Sequence, residues 1–195
     1  MKDVLVTGGK LFLITAVAAV LLGFVSAVTE PVIKQRKEME LKQALSFLVP
    51  GGKPEKEIVI KNNPVVRGCY PVKENGRVRA YILNLIGKGY GGDLKILAAF
   101  KRNGEIISVK LMEDQETPGL GKKAEKESYM KKFIGTGGSK PVPVRKDMLS
   151  RKDADAVTGA SITFMGIANA LAAGSDFIKK MGKSGSSDGC GCGQS

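Results

Sequence analysis

The pattern of apolar and polar positions begins with an uninterrupted apolar run. From Leu11 to Val28 the chain reads LFLITAVAAVLLGFVSAV, and no charged residue falls between Lys10 and Glu30. A helix of about 20 apolar residues is long enough to cross the hydrocarbon core of a bilayer. The run therefore predicts a transmembrane anchor at 11–29, after a short N-terminal flank at 1–10.

A cleaved signal peptide is the alternative interpretation of this run, since such peptides also have a basic start and an apolar middle. The sequence Ala27-Val28-Thr29 is a poor match to a small-x-small cleavage site. The apolar run is also longer than the usual core of a signal peptide. We therefore favour an anchor that stays on the protein.

Beyond the anchor the periodicity changes from helical to β-type. Apolar residues near helical spacing predict a stalk helix within 30–50, and Pro50-Gly51-Gly52 ends it. Short β-type segments follow at 57–61, 65–73, 77–86, 94–101 and 105–112. Asn75-Gly76 and Asn103-Gly104 are strong turn signals, so these segments predict two hairpins of a curved antiparallel sheet.

Two further segments have a helical pattern. Residues 122–133 predict a short charged helix, and a Gly/Pro-rich loop follows at 135–143. Residues 162–181 predict a longer helix, with apolar residues on or near one stripe that should face the sheet: Ile162, Met165, Ile167, Leu171, Ala172 and Ile178. The predicted fold class is α+β: one N-terminal transmembrane helix followed by an antiparallel-sheet domain, at 51–182, covered by helices. A Gly/Ser-rich tail at 183–195 is expected to be flexible.

Charge and composition narrow the possible functions. The chain has 31 Lys+Arg against 19 Asp+Glu, a formal charge of +12, and residues 1–30 are balanced, so the excess lies downstream. A basic domain can bind nucleic acid, an anionic membrane surface or an anionic ligand. Only 6% of residues are aromatic, and no basic run is interleaved with aromatics. We therefore expect no nucleic-acid partner.

The chain contains no histidine. This excludes Ser-His-Asp and Cys-His catalysis, the HExxH zinc site and histidine-ligated haem. Acid–base chemistry at neutral pH would fall to carboxylates, lysines or a cofactor. We therefore expect no catalytic residue and no metal site of these kinds.

The first of three candidate ligand loops spans residues 87–92. Gly87, Gly89 and Gly92 satisfy G-x-G-x-x-G, but the dinucleotide fingerprint requires a helix to follow, and here a strand is predicted. A Rossmann site is therefore rejected. A flexible inter-strand turn and a loop where the backbone approaches a ligand remain open, the candidate contacts being Gly87, Gly89, Tyr90 and Gly91.

The second loop precedes the short predicted helix, and its candidate residues are Glu116, Thr117, Pro118, Gly119, Leu120 and Gly121. It can be a plain strand-to-helix connection or part of a site. The third loop, 155–163, runs into the long helix and holds three hydroxyls, on Thr158, Ser161 and Thr163. A helix start favours anions through its free N–H groups, whereas simple N-capping by Ser161 or Thr158 is the alternative.

The third loop, Asp155-Ala156-Val157-Thr158-Gly159-Ala160-Ser161, resembles the flavinylation motif D-x-x-(S/T)-G-A-(T/S) of FMN-binding domains. Such domains occur in the G subunit of the Rnf electron-transport complex and in the C subunit of the sodium-translocating NADH:quinone reductase. The loops at 116–121 and 87–92 are similar to that family's other motifs, in the same order. The short chain and single apolar span look more like the Rnf protein.

The resemblance implies a covalently bound FMN. Its phosphate would be joined to the hydroxyl of Ser161, where many members have Thr, with Thr163 as the fallback acceptor. Thr158, Gly159 and Ala160 would line the site with the two other loops, and Asp155 would be recognised by a separate flavin transferase. Lys88 and Lys122 are candidates for adding positive charge near the phosphate.

The resemblance also implies a function and partners. The chain would carry electrons as a subunit of an ion-translocating oxidoreductase complex, with the complex's other subunits, the flavin transferase and membrane lipid as partners. An anchored assembly or adhesion module without cofactor is the alternative. A standalone flavin reductase is less favoured, because the chain is short and has no recognisable nicotinamide site.

The resemblance places the flavin domain on the extracytoplasmic side of a plasma or inner membrane, in a single-pass topology. The basic residues flanking the span, two before and four soon after, mildly favour the opposite orientation. Long domains translocate largely regardless of charge, so we give the resemblance more weight.

The three cysteines lie in two places. Cys69 falls in a predicted strand and is expected to be buried, whereas Cys190 and Cys192 lie in the tail. Two cysteines are too few for a zinc or iron–sulfur site by themselves, but with a partner they could contribute ligands, or they could form a strained or intermolecular disulfide. Because the tail is glycine-rich, we expect it to be nonessential.

Overall fold

The computed structural model describes residues 2–74, 76–113, 127–158 and 160–184. The chain divides into two compact units, Met1–Lys42 and Gln43–Ser195. A single helix, α1 (Lys2–Leu48), contributes to both, so the predicted span and stalk are one continuous helix that includes Pro31.

The first unit consists of helix α1 up to Lys42. Its large apolar side chains are exposed, as Phe12 (74%) and Leu22 (71%) illustrate. The segment Val6–Leu48 contains an 18-residue window of mean hydropathy 2.6 and is long enough to cross a membrane. The exposed surface is therefore apolar, as a lipid environment requires.

The second unit is built on a six-stranded antiparallel sheet. Its strands are β1 (Lys53–Pro54), β2 (Ile58–Val59), β3 (Val66–Glu74), β4 (Arg77–Lys88), β5 (Asp93–Lys101) and β6 (Ile106–Glu113). The order is β1-β3-β4-β5-β6, with β2 also paired to β3. Gly76 (φ 79°) and Gly104 (φ 84°) stand at the two tight turns, where a left-handed backbone favours glycine, so both predicted hairpins are confirmed.

In the described part of the chain, four helices accompany the sheet: α1, α2 (Glu127–Met130), α3 (Arg151–Ala156) and α4 (Ser161–Ser184). The α+β fold class is thereby confirmed. The predicted helix at 122–133 is described only from Glu127 onward, and its last three residues form a 3-10 turn. The sequence pattern missed α3 and β1, which have only six and two residues.

Helix α4 packs on one face of the sheet. Its Phe164, Ile167 and Leu171 are fully buried in one core cluster with Leu85 of β4 and Ile96 of β5. Half of α4's apolar window is buried, so α4 is a core helix although its composition alone would permit a membrane span.

The last turn of α1 packs against strand β6. The hydroxyl of Ser108 donates to the carbonyl of Leu48 at 2.6 Å, and the Lys110 ammonium lies 5.7 Å from the centre of the Phe47 ring. Both β6 residues flank Val109, which belongs to the α4 core. Because side chains alternate along a strand, the last turn of α1 contacts the opposite face of the sheet.

The predicted apolar stripe of α4 was wrong at its beginning. Ile167, Leu171 and Ile178 are buried as expected, but Ile162 is 48% exposed and Met165 is 42% exposed. The sheet instead covers the face of α4 that contains Phe164. Periodicity places apolar residues on a helix without showing which of two overlapping faces meets the sheet.

Candidate functional site

The tip of the β4–β5 hairpin meets the first turns of α4 with no space between them. A Cβ atom built on Gly166 would lie 2.0 Å from the Lys88 carbonyl oxygen, and one built on Gly87 would lie 2.8 Å from the Gly166 carbonyl oxygen. Only glycine permits this approach of two backbones. The loop at 87–92 therefore lies beside the second turn of α4, the helix that follows the loop at 155–163.

The hairpin tip itself is a tight structure. The Gly89 N–H donates to the Gly92 carbonyl at 2.8 Å, and the ammonium of Lys88 pairs with Asp93 at 2.6 Å. Strand β5 begins at Asp93 directly after the loop, which confirms that the glycine pattern is not the dinucleotide fingerprint. Tyr90 projects from the tip with 74% of its surface exposed.

The start of α4 has no side-chain cap at its N-cap position. Ala160 stands there, and its carbonyl accepts the first helical hydrogen bond, from Phe164 at 2.9 Å. A methyl side chain offers no acceptor to the first N–H groups of the helix. Helix α3, in contrast, begins after Ser150, whose side chain accepts from the Asp153 N–H. The start of α4 therefore leaves its N–H groups and the positive end of its dipole to another acceptor.

The three candidate hydroxyls differ in accessibility. Ser161 is the first residue of α4 and is half-buried, whereas Thr163 is only 1% exposed. Thr158 is exposed, and its hydroxyl donates to the Ala154 carbonyl at 3.1 Å. Neither Ser161 nor Thr158 occupies the N-cap position, so the simple capping interpretation was wrong. Among the three, Ser161 combines access with a place in the first turn.

The remaining sequence candidates can be placed only in part. Asp155 lies on α3 and is exposed, and Gly91 lies exposed in the hairpin tip. Gly159 and the whole 116–121 loop lie outside the described residues. For them the assignment to the site stays a prediction.

The structure adds three neighbours that no motif indicated. The Phe133 ring stacks on Phe164 of α4, with ring centres 5.4 Å apart, which brings α2 and the following turn to the start of α4. The Lys132 side chain is 7% exposed; its ammonium lies 4.5 Å from the centre of the Tyr129 ring and 3.8 Å from the Asp153 carboxylate. Nothing in the sequence spacing of these residues distinguishes them from the residues of an ordinary surface helix.

Tyr129 is buried, at 4% exposure, and among the residues the structure describes its hydroxyl has no hydrogen-bond partner. Burial raises the pKa of Tyr129 well above its usual value, because the charged phenolate would lose its hydration. The hydroxyl is therefore neutral at physiological pH.

Metal chemistry has no support within the described part of the chain. No cluster of three or more Cys, Asp or Glu side chains is found there. Cys69 is fully buried in β3, as predicted, and Cys190 and Cys192 lie beyond residue 184.

Residues 89–175 match the family of FMN-binding domains. The matched segment begins in the hairpin tip, directly after Gly87 and Lys88, and ends within α4, so it contains residues 89–92 and the start of α4. The flavin-domain resemblance stated from the loop motifs is thereby confirmed.

Similar proteins extend the comparison to most of the chain. One is the G subunit of the ion-translocating oxidoreductase complex of Shewanella piezotolerans, 30% identical over 87% of each chain. Another is the G subunit of the Na(+)-translocating ferredoxin:NAD(+) oxidoreductase complex of Acetobacterium woodii, 30% identical over 83% of this chain and 85% of that protein. The G subunit of the corresponding proton-translocating complex of Clostridium ljungdahlii is 27% identical over 75% of this chain and 76% of that protein. The chain therefore belongs to the family of G subunits of ion-translocating oxidoreductase complexes.

Proposed function

We propose that this protein is a membrane-anchored electron carrier that holds FMN as a phosphoester on Ser161, within an ion-translocating oxidoreductase complex. One observation carries the proposal. The Ser161 hydroxyl is accessible in the first turn of a 24-residue helix whose N-cap is an alanine, inside the segment that matches an FMN-binding domain.

Accessibility supports Ser161 over Thr163 as the acceptor. A flavin transferase must bring an activated phosphate to the hydroxyl, and Thr163 is 1% exposed. Reaction at Thr163 would require the first turn of α4 to leave the sheet. Ser161 is half-buried and needs no such opening.

The helix start supports a phosphodiester in particular. A phosphodiester keeps one negative charge, which the first N–H groups and the dipole of α4 would stabilise. Lys88 is already paired with Asp93 at 2.6 Å, so its charge is largely compensated. The other lysine considered, Lys122, lies outside the described residues. Within the described region the backbone at the start of α4 therefore contributes to the charge complement.

The chain's own residues position the group and do not transform it. Bound FMN supplies the redox chemistry, accepting and releasing electrons on its isoalloxazine ring. Ser161 tethers the group, so it cannot dissociate between turnovers, and Gly87 and Gly166 fix the hairpin tip beside the tether. None of these tasks requires an acid or base, which suits a chain without histidine.

Helix α1 would hold the carrier at the membrane. Its exposed apolar surface from Leu11 to Val28 matches the thickness of a bilayer core. The proteins that the whole chain resembles are named as subunits of oxidoreductase complexes. This supports the proposal that the chain's partners are other subunits of such a complex. We propose that the FMN-binding domain lies on the extracytoplasmic side of the membrane. A protease added outside should then digest the domain in spheroplasts but not in intact inverted vesicles.

Covalent attachment is tested by expressing the full chain with and without a flavin transferase. We expect a fluorescent band in a denaturing gel and the added mass of FMN, mapped to the peptide containing Ser161. Ser161→Ala should lose both signals, whereas Thr163→Ala should keep them. FMN mass on intact Ser161→Ala would contradict the assignment, and a wild-type chain without flavin would favour a cofactor-free assembly module.

A further inference from the structure

We propose that Ile162 and Met165 form an apolar platform on which the isoalloxazine ring of the FMN rests. This inference depends on the proposed attachment at Ser161 and adds residues that hold the ring. Ile162 and Met165 are the two residues that the predicted stripe of α4 wrongly placed in the core. Both side chains are large and apolar, and both are exposed to solvent.

The platform is confined to the first turns of the helix. Ile162 is 48% exposed and Met165 is 42% exposed. Further along α4, up to residue 182, the exposed positions are Gly182, which has no side chain, and three polar or charged residues: Asn169, Asp176 and Lys180. A helix face that is apolar only beside its N-terminus is the reverse of what a plain solvent-facing helix requires. An apolar ligand near that end accounts for the change.

Helix geometry directs the platform toward the tether. Met165 lies four residues after Ser161, which places it on the same face about one turn, or 6 Å, further along the axis. Side chains in helices lean toward the N-terminus, so Met165 covers the surface between its own Cα and Ser161. Ile162 adjoins Ser161 directly and is an i,i+3 neighbour of Met165. The chain linking the phosphate to the ring has five carbons and can span one such turn.

The hairpin tip bounds the platform on one side. Gly166, which follows Met165, is in contact with the Lys88 backbone and is also an i,i+4 neighbour of Ile162. The exposed Tyr90 ring belongs to the same tip. An apolar surface beside a fixed loop offers a flat ring one face to rest on and leaves its other face open.

The chemistry of the side chains suits this occupant. Isoalloxazine is a large planar ring, and methionine sulfur makes favourable contacts with aromatic rings. Because the ring would be tethered about one helical turn from the platform, its local concentration there would be high. Even a weak contact would then be occupied much of the time. A separate protein partner would have to find the same small surface without that advantage.

The test measures how easily iodide reaches the flavin in the folded, flavin-loaded full chain. The variant Ile162→Thr/Met165→Gln removes the platform without changing charge. Ile134→Thr/Met148→Gln is the matched control, because those side chains are similarly exposed, at 44% and 45%, elsewhere in the same unit. Intact mass first establishes that each protein carries one FMN.

Because a planar ring has two faces, uncovering one should raise the iodide quenching constant about twofold in the platform variant. The control variant should match the wild type. If Ile162→Thr blocks the transferase, Met165→Gln alone decides the question by the same measurement. An unchanged constant in a fully loaded variant would overturn the platform while leaving attachment intact.

Two other results would also count against the platform. If the iodide quenching constant of the wild type equalled that of free FMN, both faces of the ring would be uncovered. The Ile162 and Met165 surface would then be a contact for a protein partner instead. A wild-type chain without flavin after expression with the transferase would overturn the attachment and the platform together. The mass measurement separates these two cases before any quenching is recorded.

Discussion

Gly166 of α4 lies so close to Lys88 of β4 that a side chain at position 166 would collide with the main chain. A Cβ there would be 2.0 Å from the Lys88 carbonyl oxygen. Backbone atoms cannot rotate aside, so we expect Gly166→Ala to lower the free energy of unfolding by at least about 2 kcal/mol. Urea denaturation of the full chain in detergent measures this.

Gly182→Ala is the matched control for that substitution on the same helix. Its Cβ would lie 3.6 Å from the Arg102 carbonyl oxygen, an ordinary contact. Since alanine is the better helix former by about 1 kcal/mol, this variant should be unchanged or more stable. Equal losses in the two variants would mean that the close approach at Gly166 is not a tight constraint.

The bond from Ser108 to Leu48 fixes the end of α1 to the sheet within the second unit. Ser108→Ala removes a 2.6 Å hydrogen bond to a buried backbone carbonyl, so we expect a loss of about 1 kcal/mol in the free energy of unfolding. Ser46→Ala is the control, because its hydroxyl donates only to Gln43 within the same helix. A loss for Ser46→Ala equal to that for Ser108→Ala would contradict the proposed difference.

Two buried tyrosines should respond oppositely to loss of their hydroxyl at neutral pH. Tyr129 has no hydrogen-bond partner among the described residues, so Tyr129→Phe should raise the free energy of unfolding by about 1 kcal/mol. Tyr70 is hydrogen-bonded to Glu57, so Tyr70→Phe should lower it by a similar amount. Chemical denaturation of both variants beside the wild type tests the difference in sign.

The same tyrosines predict a loss of stability in alkali. Burial raises the pKa of Tyr129 and of Tyr70 above the ordinary value of 10.0, and hydrogen bonding to Glu57 adds to the shift at Tyr70. Above that pH the unfolded chain releases these protons while the folded chain keeps them. The free energy of unfolding should therefore fall by about 1.4 kcal/mol per pH unit for each buried tyrosine.

This stabilisation is complete below pH 10 and decreases as the pH rises from there toward the folded-state pKa. Denaturation at pH 9, 10 and 11 measures the slope. Tyr129→Phe should show a shallower slope than the wild type above pH 10. An identical slope would mean that Tyr129 ionises as easily in the folded chain as in the unfolded one.

Attachment of the flavin should stabilise the domain that carries it. A phosphodiester at the start of α4 would accept hydrogen bonds that Ala160 cannot, and such capping and dipole interactions are worth about 0.5–2 kcal/mol. We expect wild-type chain made with the transferase to melt at a higher temperature than chain made without it. Ser161→Ala should melt identically from both preparations, and a difference between them would point to another attachment site.

Most of the sheet could be predicted from sequence because its signals are local. Asn103-Gly104 forces a turn through the left-handed backbone that glycine accepts, and alternation on either side gives the paired strands. The long helix followed from apolar periodicity in the same way. Its exposed Ile162 and Met165 could not be predicted, because which helix face meets the sheet depends on contacts with distant residues.

The site was predictable as a set of motifs and not as a geometry. The resemblance correctly identified the flavin-domain family, and the match to residues 89–175 confirms it. The contact between Gly166 and Lys88 could not be anticipated, since Gly166 looks like an ordinary helical glycine until the hairpin is placed beside it. The burial that separates Ser161 from Thr163 likewise arises only when α4 packs on the sheet.

The alanine before α4 has a consequence for how the protein matures. Under the proposed attachment, a helix without a side-chain cap receives its missing acceptor only when the cofactor arrives. Chains that escaped modification would open more often at this end, and proteases act on such locally opened forms. Because of Ala160, proteases would then degrade chains without FMN faster than chains that carry it, with no need for a receptor that recognises the flavin.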